Sequence, residues 1–286
     1  MRTIAGCGAL ALAVISAPAA GPAAPIVVPD VEWRVSAPGL ERAIVEVPGS
    51  PERWRTNVVV IRADPARLRF RLRARLGAIG PGWTVDRAPA GALVALNVGQ
   101  FKGIVPWGWV VMNGEEIRPP GTGPLSTALA WDAGGRARWL TPDEIEPERA
   151  AGRVVEAIQS YPTLLDERGE IPRQIHEAGL GVDVGHRDGR LAIGALPDGR
   201  LLIAITRFYG FGEVSPALPL GLTLEEMASV MRALGCRRAV SLDGGISAQL
   251  LLREGGRTMI WRGWRPVPLG LVAEPFGTAS DVSQGR

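Results

Sequence analysis

Three polar residues stand where apolar runs begin or end: Asn97 in "ALNVGQF", Arg190 ahead of "LAIGALPDGRLLIAI", and Asp243 in "SLDGGISAQLLL". An amide, a guanidinium and a carboxylate at strand ends are groups that sheet proteins commonly turn toward ligands. The signal is sharpest at Asp243. Gly244 and Gly245 behind it permit positive φ and a close approach that a side chain would block, and a carboxylate beside open backbone suits a ligand. Gly99 turns the chain just after Asn97, and Ser247 follows the glycine pair in "GISAQ". Each position also has a structural use. Asp-Gly is an ordinary hairpin turn, Asn favours turns, and Arg favours surfaces.

Other chemistries lack their residues. The chain has two histidines, His176 and His186, and neither has partners at metal-ligand spacing. No transition-metal site or cofactor is therefore expected, while an oxygen-liganded Ca²⁺ stays open. "GISAQ" resembles a serine nucleophile elbow only in part, because its final Gly is missing. Neither a phosphate-binding Walker loop nor a dinucleotide fingerprint occurs. Chemistry is left to carboxylate, amide and guanidinium groups.

Composition narrows the partners. Across 286 residues the net charge is +3, with 46% hydrophobic and 21% charged residues. A chain this balanced lacks the concentrated basic face of a nucleic-acid binder. One basic stripe exists: "RLRFRLRARL" puts five arginines, Arg67 to Arg75, on one strand face and apolar residues on the other. It reads as a charged edge or a solvated face, and alternatively as a surface for an anionic envelope polymer. Of the two cysteines, Cys7 lies in the leader and Cys236 follows a helix, so no disulfide is expected in a processed chain.

The positioning elements are mostly strands. "RAIVEV", "TNVVVIRA" and the Arg stripe fill the N-terminal part, and "WGWVVMNGEEI" predicts a hairpin turning at Asn113 and Gly114. "ALAWDAGGRARWL" predicts another strand pair. Residues 141–160 predict a helix that opens behind Thr141 and presents Val154, Val155 and Ile158 near its end. A second helix has Thr223 as N-cap, Glu226 completing a capping box, and Met227, Val230, Met231 and Leu234 on its core face. The expected class is α+β, with a mixed, largely antiparallel sheet and at least two flanking helices.

The first residues, "MRTIAGCGALALAVISAPAAGPAAP", pair one Arg with an apolar run and small residues, the pattern of a secretory signal. Cleavage between Ala17 and Pro25 would remove Arg2 and no acid, lowering the charge from +3 by one. The expected location is outside the cytoplasm, secreted or in the periplasm and envelope, with membrane contact only through an uncleaved signal. Residues 1–24 form the signal and the start of a linker, and residues 25–90 a strand-rich segment. Residues 91–276 form the main domain, and 277–286 a tail.

"ALNVGQF", "AIQSYPTLLDERGEIP", "RLAIGALPDGRLLIAI", "GLTLEEMASVMRALGCRRAVSLDGGISAQLLL" and "RPVPLGLVAE" occur in an order and spacing that resembles the phosphodiester glycosidase family. That family includes the lysosomal uncovering enzyme, which removes N-acetylglucosamine from a phosphodiester. The resemblance implies catalytic roles for Asn97, Arg190 and Asp243, and substrate contacts from Gly99, Gly244, Gly245 and Ser247. Gln100, Leu191, Ile246 and Ala248 depart from the residues usual at their positions.

A reaction of that class makes physical sense for these groups. Breaking a sugar–phosphate bond builds positive charge at the anomeric carbon, while the leaving phosphate is already a stable anion. A strong general acid matters less than in ordinary glycoside hydrolysis. A carboxylate facing the cation and a guanidinium forked onto phosphate would supply the rest. The expected function is hydrolysis of a sugar 1-phosphodiester or a related envelope glycoconjugate, with carbohydrate or sugar phosphate as partner. A noncatalytic glycan-binding or exopolysaccharide-assembly protein on the same scaffold is the alternative. Trp107 and Trp109 can serve as a sugar platform or as packing.

Overall fold

The structure, a computed structural model, describes residues 26–28, 30–51, 53–75, 82–177, 179–208 and 221–276. The expected export signal and C-terminal tail lie outside them. Among the described residues every strand pairing is antiparallel. A seven-stranded sheet runs in the order Arg34–Ala37, Leu40–Val47, Thr56–Ala63, Leu201–Phe208, Leu191–Ala195, Arg238–Leu242, Thr163–Leu165. Against it packs a five-stranded sheet ordered Arg257–Trp261, Leu250–Glu254, Val94–Asn97, Leu269–Pro275, Leu68–Ala74. Their facing side chains make one core, with Ile61, Ile203 and Val240 from the first sheet meeting Leu72, Leu96 and Leu250 from the second. A second five-stranded sheet, built around Thr127–Asp132 and Val154–Ser160, adds Trp131 and Ile158 to that core.

The outer face of the seven-stranded sheet carries the helix Leu224–Ala233. Its Met227, Val230 and Met231 are fully buried against Val58, Ala204 and Ala239. The capping box is as the sequence implies: Thr223 N–H donates to Glu226 Oε2 at 3.0 Å, and Glu226 N–H donates to Thr223 Oγ1 at 3.2 Å. Both faces of the central sheet are covered, so consecutive residues of its inner strands are buried instead of alternating. In Arg238–Leu242, Ala239 lies in one core and Val240 in the other.

The helix expected over 141–160 is half helix and half strand. It starts at Pro142 and ends at Ala151, where Gly152 adopts a left-handed φ of 63°. Left-handed Gly at a C-terminus terminates helices because it bears no Cβ. Val154–Ser160 is then a strand at the centre of the second five-stranded sheet. Its apolar residues satisfied the spacing of either element, and the β-branched pair Val154 and Val155 favours the extended one. The hairpin at Asn113 and Gly114 forms as expected, with positive φ at both residues.

The Arg stripe is an edge strand, Leu68–Ala74, with Leu68, Phe70 and Leu72 in the core. Its outer backbone is partly covered by Glu156, which is 3% exposed and accepts from Leu72 N–H at 3.0 Å. Burial pushes the Glu156 carboxyl from about 4.5 up to about 7, against the N–H groups of Leu72 and Asn113 and the charges of Arg71 and Arg73. The folded state therefore holds a proton that the unfolded state has released. Stability from this group is complete below about pH 4.5 and is lost as pH rises through about 7. Glu156→Gln keeps an acceptor for Leu72 and removes the titration, so it should flatten a loss of up to about 3 kcal/mol. Urea unfolding of both proteins from pH 4 to 8 measures it, and identical pH slopes would exclude a buried, uptitrated Glu156.

Candidate active site

The "SLDGGISAQLLL" segment crosses from one sheet to the other. Arg238–Leu242 ends in the seven-stranded sheet, and Leu250–Glu254 resumes in the five-stranded one. Asp243 leaves the first ladder by donating its N–H to Gly99 O at 3.0 Å. Asn97, the fully buried end of Val94–Asn97, pins both ends of the crossing. Its Nδ2 donates to Asp243 O at 2.7 Å, and its Oδ1 accepts from Gln249 N–H at 2.9 Å. Both ends of the amide are thus spent on main chain, which makes Asn97 a positioning residue for Asp243. Gly99 has the same character: it is buried, with φ of 73°, and offers its carbonyl to Asp243.

The two glycines after Asp243 admit a neighbouring segment of the protein itself. A Cβ on Gly244 would lie 2.3 Å from Gly189 O, and one on Gly245 would lie 2.5 Å from Asp188 Oδ2. Gly245 also has φ of 55° and donates to Gly189 O at 2.6 Å. A side chain at either glycine would collide with Asp188 or Gly189, while both glycines also line the recess beside Asp243. Their consequence is a second carboxylate packed beside the first.

Asp243, Asp188, Arg190, His186 and Arg265 line one recess of about 410 Å³, with Tyr161 and Ser247 in its wall. Pockets of this size take small ligands. Burial holds the Asp243 carboxyl above the usual range; the Ser247 hydroxyl and Arg265 oppose this, and the charge of Asp188 adds to it. Asp243 Oδ2 is buried without a hydrogen bond, 3.6 Å from an Arg265 nitrogen. Asp188 is likewise raised by burial, against the Gly189 N–H and the charges of Arg190 and His186. Its Oδ1 accepts from Gly189 N–H at 2.8 Å, and His186 Nε2 stands 4.0 Å from its Oδ2.

Arg190 is braced from both sides. Nε donates to Leu222 O at 2.8 Å, Nη2 donates to His186 O, and the main-chain N–H donates to Thr206 Oγ1 at 2.7 Å. Burial lowers its pKa, against the charges of Asp188, Asp183 and Glu226, and a guanidinium stays charged regardless. Arg190 lines the recess, and its planar group has donors beyond those two carbonyl contacts.

Ser247 is fully buried, and its Oγ accepts from Arg265 Nε at 2.8 Å. No histidine serves it: His176 pairs with Glu225 at 2.9 Å, and His186 faces Asp188. It orients Arg265 and Asp243, and the serine-nucleophile arrangement is not formed among the described residues. Those residues also hold no cluster of three or more His, Cys, Asp or Glu side chains fit for a metal ion. Cys236 is a buried thiol pushed up to about 12 by its surroundings, hence inert. Trp109 is core, 1% exposed with Nε1 on Glu116, whereas Trp107 is half-buried against Tyr161.

Two members of the recess, Asp188 and Arg265, have no signal in the sequence beyond an Asp-Gly turn and an Arg in a Trp-rich loop. Asn97, Arg190, Asp243, Gly99, Gly244, Gly245 and Ser247 all converge on it or on the backbone beneath it.

No curated protein is similar enough to count as a relative. Among solved structures, a hypothetical protein from Synechocystis is 16% identical, with a TM-score of 0.62 over 86% of this chain and 64% of that one. The zebrafish N-acetylglucosamine-1-phosphodiester alpha-N-acetylglucosaminidase catalytic domain, auto-inhibited by its pro-peptide, is 19% identical. Its TM-score is 0.62 over 86% of this chain and 87% of that one. A protein from Burkholderia pseudomallei is 16% identical, with a TM-score of 0.54 over 77% of this chain and 74% of that one. At such identities the likeness is one of fold. The sequence pattern of one family, described as phosphodiester glycosidase, matches residues 90–274, which contain every residue of the recess, and the chain belongs to that family.

Proposed function

We propose that the chain is an exported hydrolase that cleaves a sugar 1-phosphodiester of an envelope glycoconjugate. The observation that carries this is the pair of carboxylates, Asp243 and Asp188, lining one recess with the guanidinium residues Arg190 and Arg265. Asp243 faces the anomeric carbon and stabilises its developing positive charge. Arg190 and Arg265 hold the phosphate with charge-assisted hydrogen bonds. The bond from the anomeric carbon to the phosphate oxygen breaks, and its electron pair leaves with the phosphate monoester. Water adds to the anomeric carbon, and its proton passes to Asp188, whose raised pKa makes it a better base than an exposed aspartate.

The test is a panel of α- and β-linked methyl-phosphoryl hexoses and N-acetylhexosamines, assayed for reducing sugar and methyl phosphate in equal amounts. The same preparation, recovered from the envelope or medium, should have an N-terminus between Ala17 and Pro25. Binding without release of either product would establish the noncatalytic alternative. An intact Met1 chain in the cytosol would overturn export.

A further inference from the structure

Beside the catalytic recess lies a second one of about 170 Å³, walled by Trp107, Thr122, Pro124, Ser126, Tyr161 and Leu180. The two are neighbours through Tyr161, which lines both, and through consecutive chain: Leu180 lines the second, and Gly181 to Asp183 line the first. Pro124 and Ser126 in turn also line a third recess of about 330 Å³. The three recesses are thus neighbours, linked by the residues they share.

The wall of the second recess is rigidly built. Trp107 meets Tyr161 edge to face at 4.5 Å, and its ring packs so closely on Gly121 that a Cβ there would lie 2.8 Å from it. Fully buried Gln159 ties the wall together. Its Oε1 accepts from the N–H groups of Trp109 and Gly121 at 2.9 and 2.8 Å, and its Nε2 donates to Gly121 O and Ser126 Oγ at 3.0 and 2.9 Å. Side chains held this way bind with little loss of entropy.

The chemistry of the lining selects its occupant. No charged side chain lines the recess, so it suits neither phosphate nor an ionic group. Aromatic rings beside the exposed hydroxyl of Thr122 offer an apolar surface and a hydrogen-bonding group together, which is what a pyranose ring presents on its face and edge. We propose that this recess is a subsite for a second, neutral sugar ring, so that the substrate is an oligosaccharide or longer glycan carrying the phosphodiester. This deepens the proposed hydrolase reading and rests on it for the catalytic arm of its test.

Two measurements decide it. In the first, kcat/KM is compared for the best single-sugar 1-phosphodiester and for the same diester bearing one further hexose on that sugar. Wild type should favour the longer substrate by about tenfold or more through KM, and Trp107→Ala should bring the two level. Trp107→Phe, which keeps a ring, should retain part of the preference and guards against a variant that fails to fold. The second is retention of neutral bacterial oligosaccharides, without phosphate, on a printed array. Wild type should retain at least one, and Trp107→Ala should lose it. Equal kcat/KM on both substrates, or a preference untouched in Trp107→Ala, overturns the subsite while leaving the hydrolase standing. Trp107-dependent retention without any hydrolysis preserves the subsite and removes the hydrolase.

Discussion

Asp243→Asn should lose turnover of a sugar 1-phosphodiester by about 10² to 10³ or more, the usual cost of one well-placed electrostatic group. Its thermal unfolding should stay where it is or rise. The sign follows from burial, which raises the folded-state pKa of Asp243 above its unfolded value. Stability from such a group is present below the unfolded pKa and is lost as pH rises through the folded one, so at neutral pH the ionised carboxylate is a cost. A neutral amide of the same shape removes that cost and the chemistry together, the trade that active sites commonly carry. Activity that needs ionised Asp243 should fall on acidification at a pH above the ordinary carboxylate range. Because the charge of Asp188 contributes to the shift, Asp188→Asn should move that acid limb of its residual activity downward. Kinetics and melting of the two variants across pH measure both effects. An Asp243→Asn protein with wild-type turnover would return Asp243 to an ordinary turn residue.

Strand ends were legible because the fold places polar groups where apolar runs stop, and Asn97, Arg190 and Asp243 stood out on that ground. Their division of labour was not legible. Asn97 acts on Asp243 O and Gln249 N, 146 and 152 residues away, and no local pattern encodes such a contact. The glycines were correctly marked as sites of close approach, yet what approaches is Asp188 and Gly189, which the sequence shows only as part of "RDGR". Arg265 reaches the site from a loop after the crossing, 18 residues beyond Ser247, with a ring contact to Phe101 at 5.2 Å. The capped second helix was legible because every signal for it is local. The overlong first helix was not, because an apolar face at helical spacing and a strand buried on both sides present the same residues, and only Gly152 and the β-branched pair Val154 and Val155 distinguished them.

Arg190→Lys should lose both stability and turnover, a signature that separates it from Asp243→Asn. Arg190 holds two carbonyls from different segments, Leu222 O before the second helix and His186 O in the loop that delivers Asp188. Asp188 itself exchanges main-chain hydrogen bonds with Leu222, at 3.3 and 3.1 Å, so the same two segments position the second carboxylate. Lysine has one ammonium and no planar fork, and it cannot reach both carbonyls and still offer donors to a phosphate. Hydrogen bonds from a charged donor contribute about 1.5 to 3 kcal/mol each, and losing one lowers the melting temperature of a domain of this size by several degrees. Burial also disfavours a compact ammonium more than a delocalised guanidinium, so the lysine loses charge where phosphate needs it. Turnover should fall by about 10-fold to 10³-fold, with KM for the phosphodiester rising because phosphate is held less well in ground and transition states alike. Unchanged melting with lost turnover would place the guanidinium on the substrate and make its carbonyl contacts dispensable. Lowered melting with unchanged kcat and KM would confine Arg190 to bracing the loop, and the phosphate would then fall to Arg265.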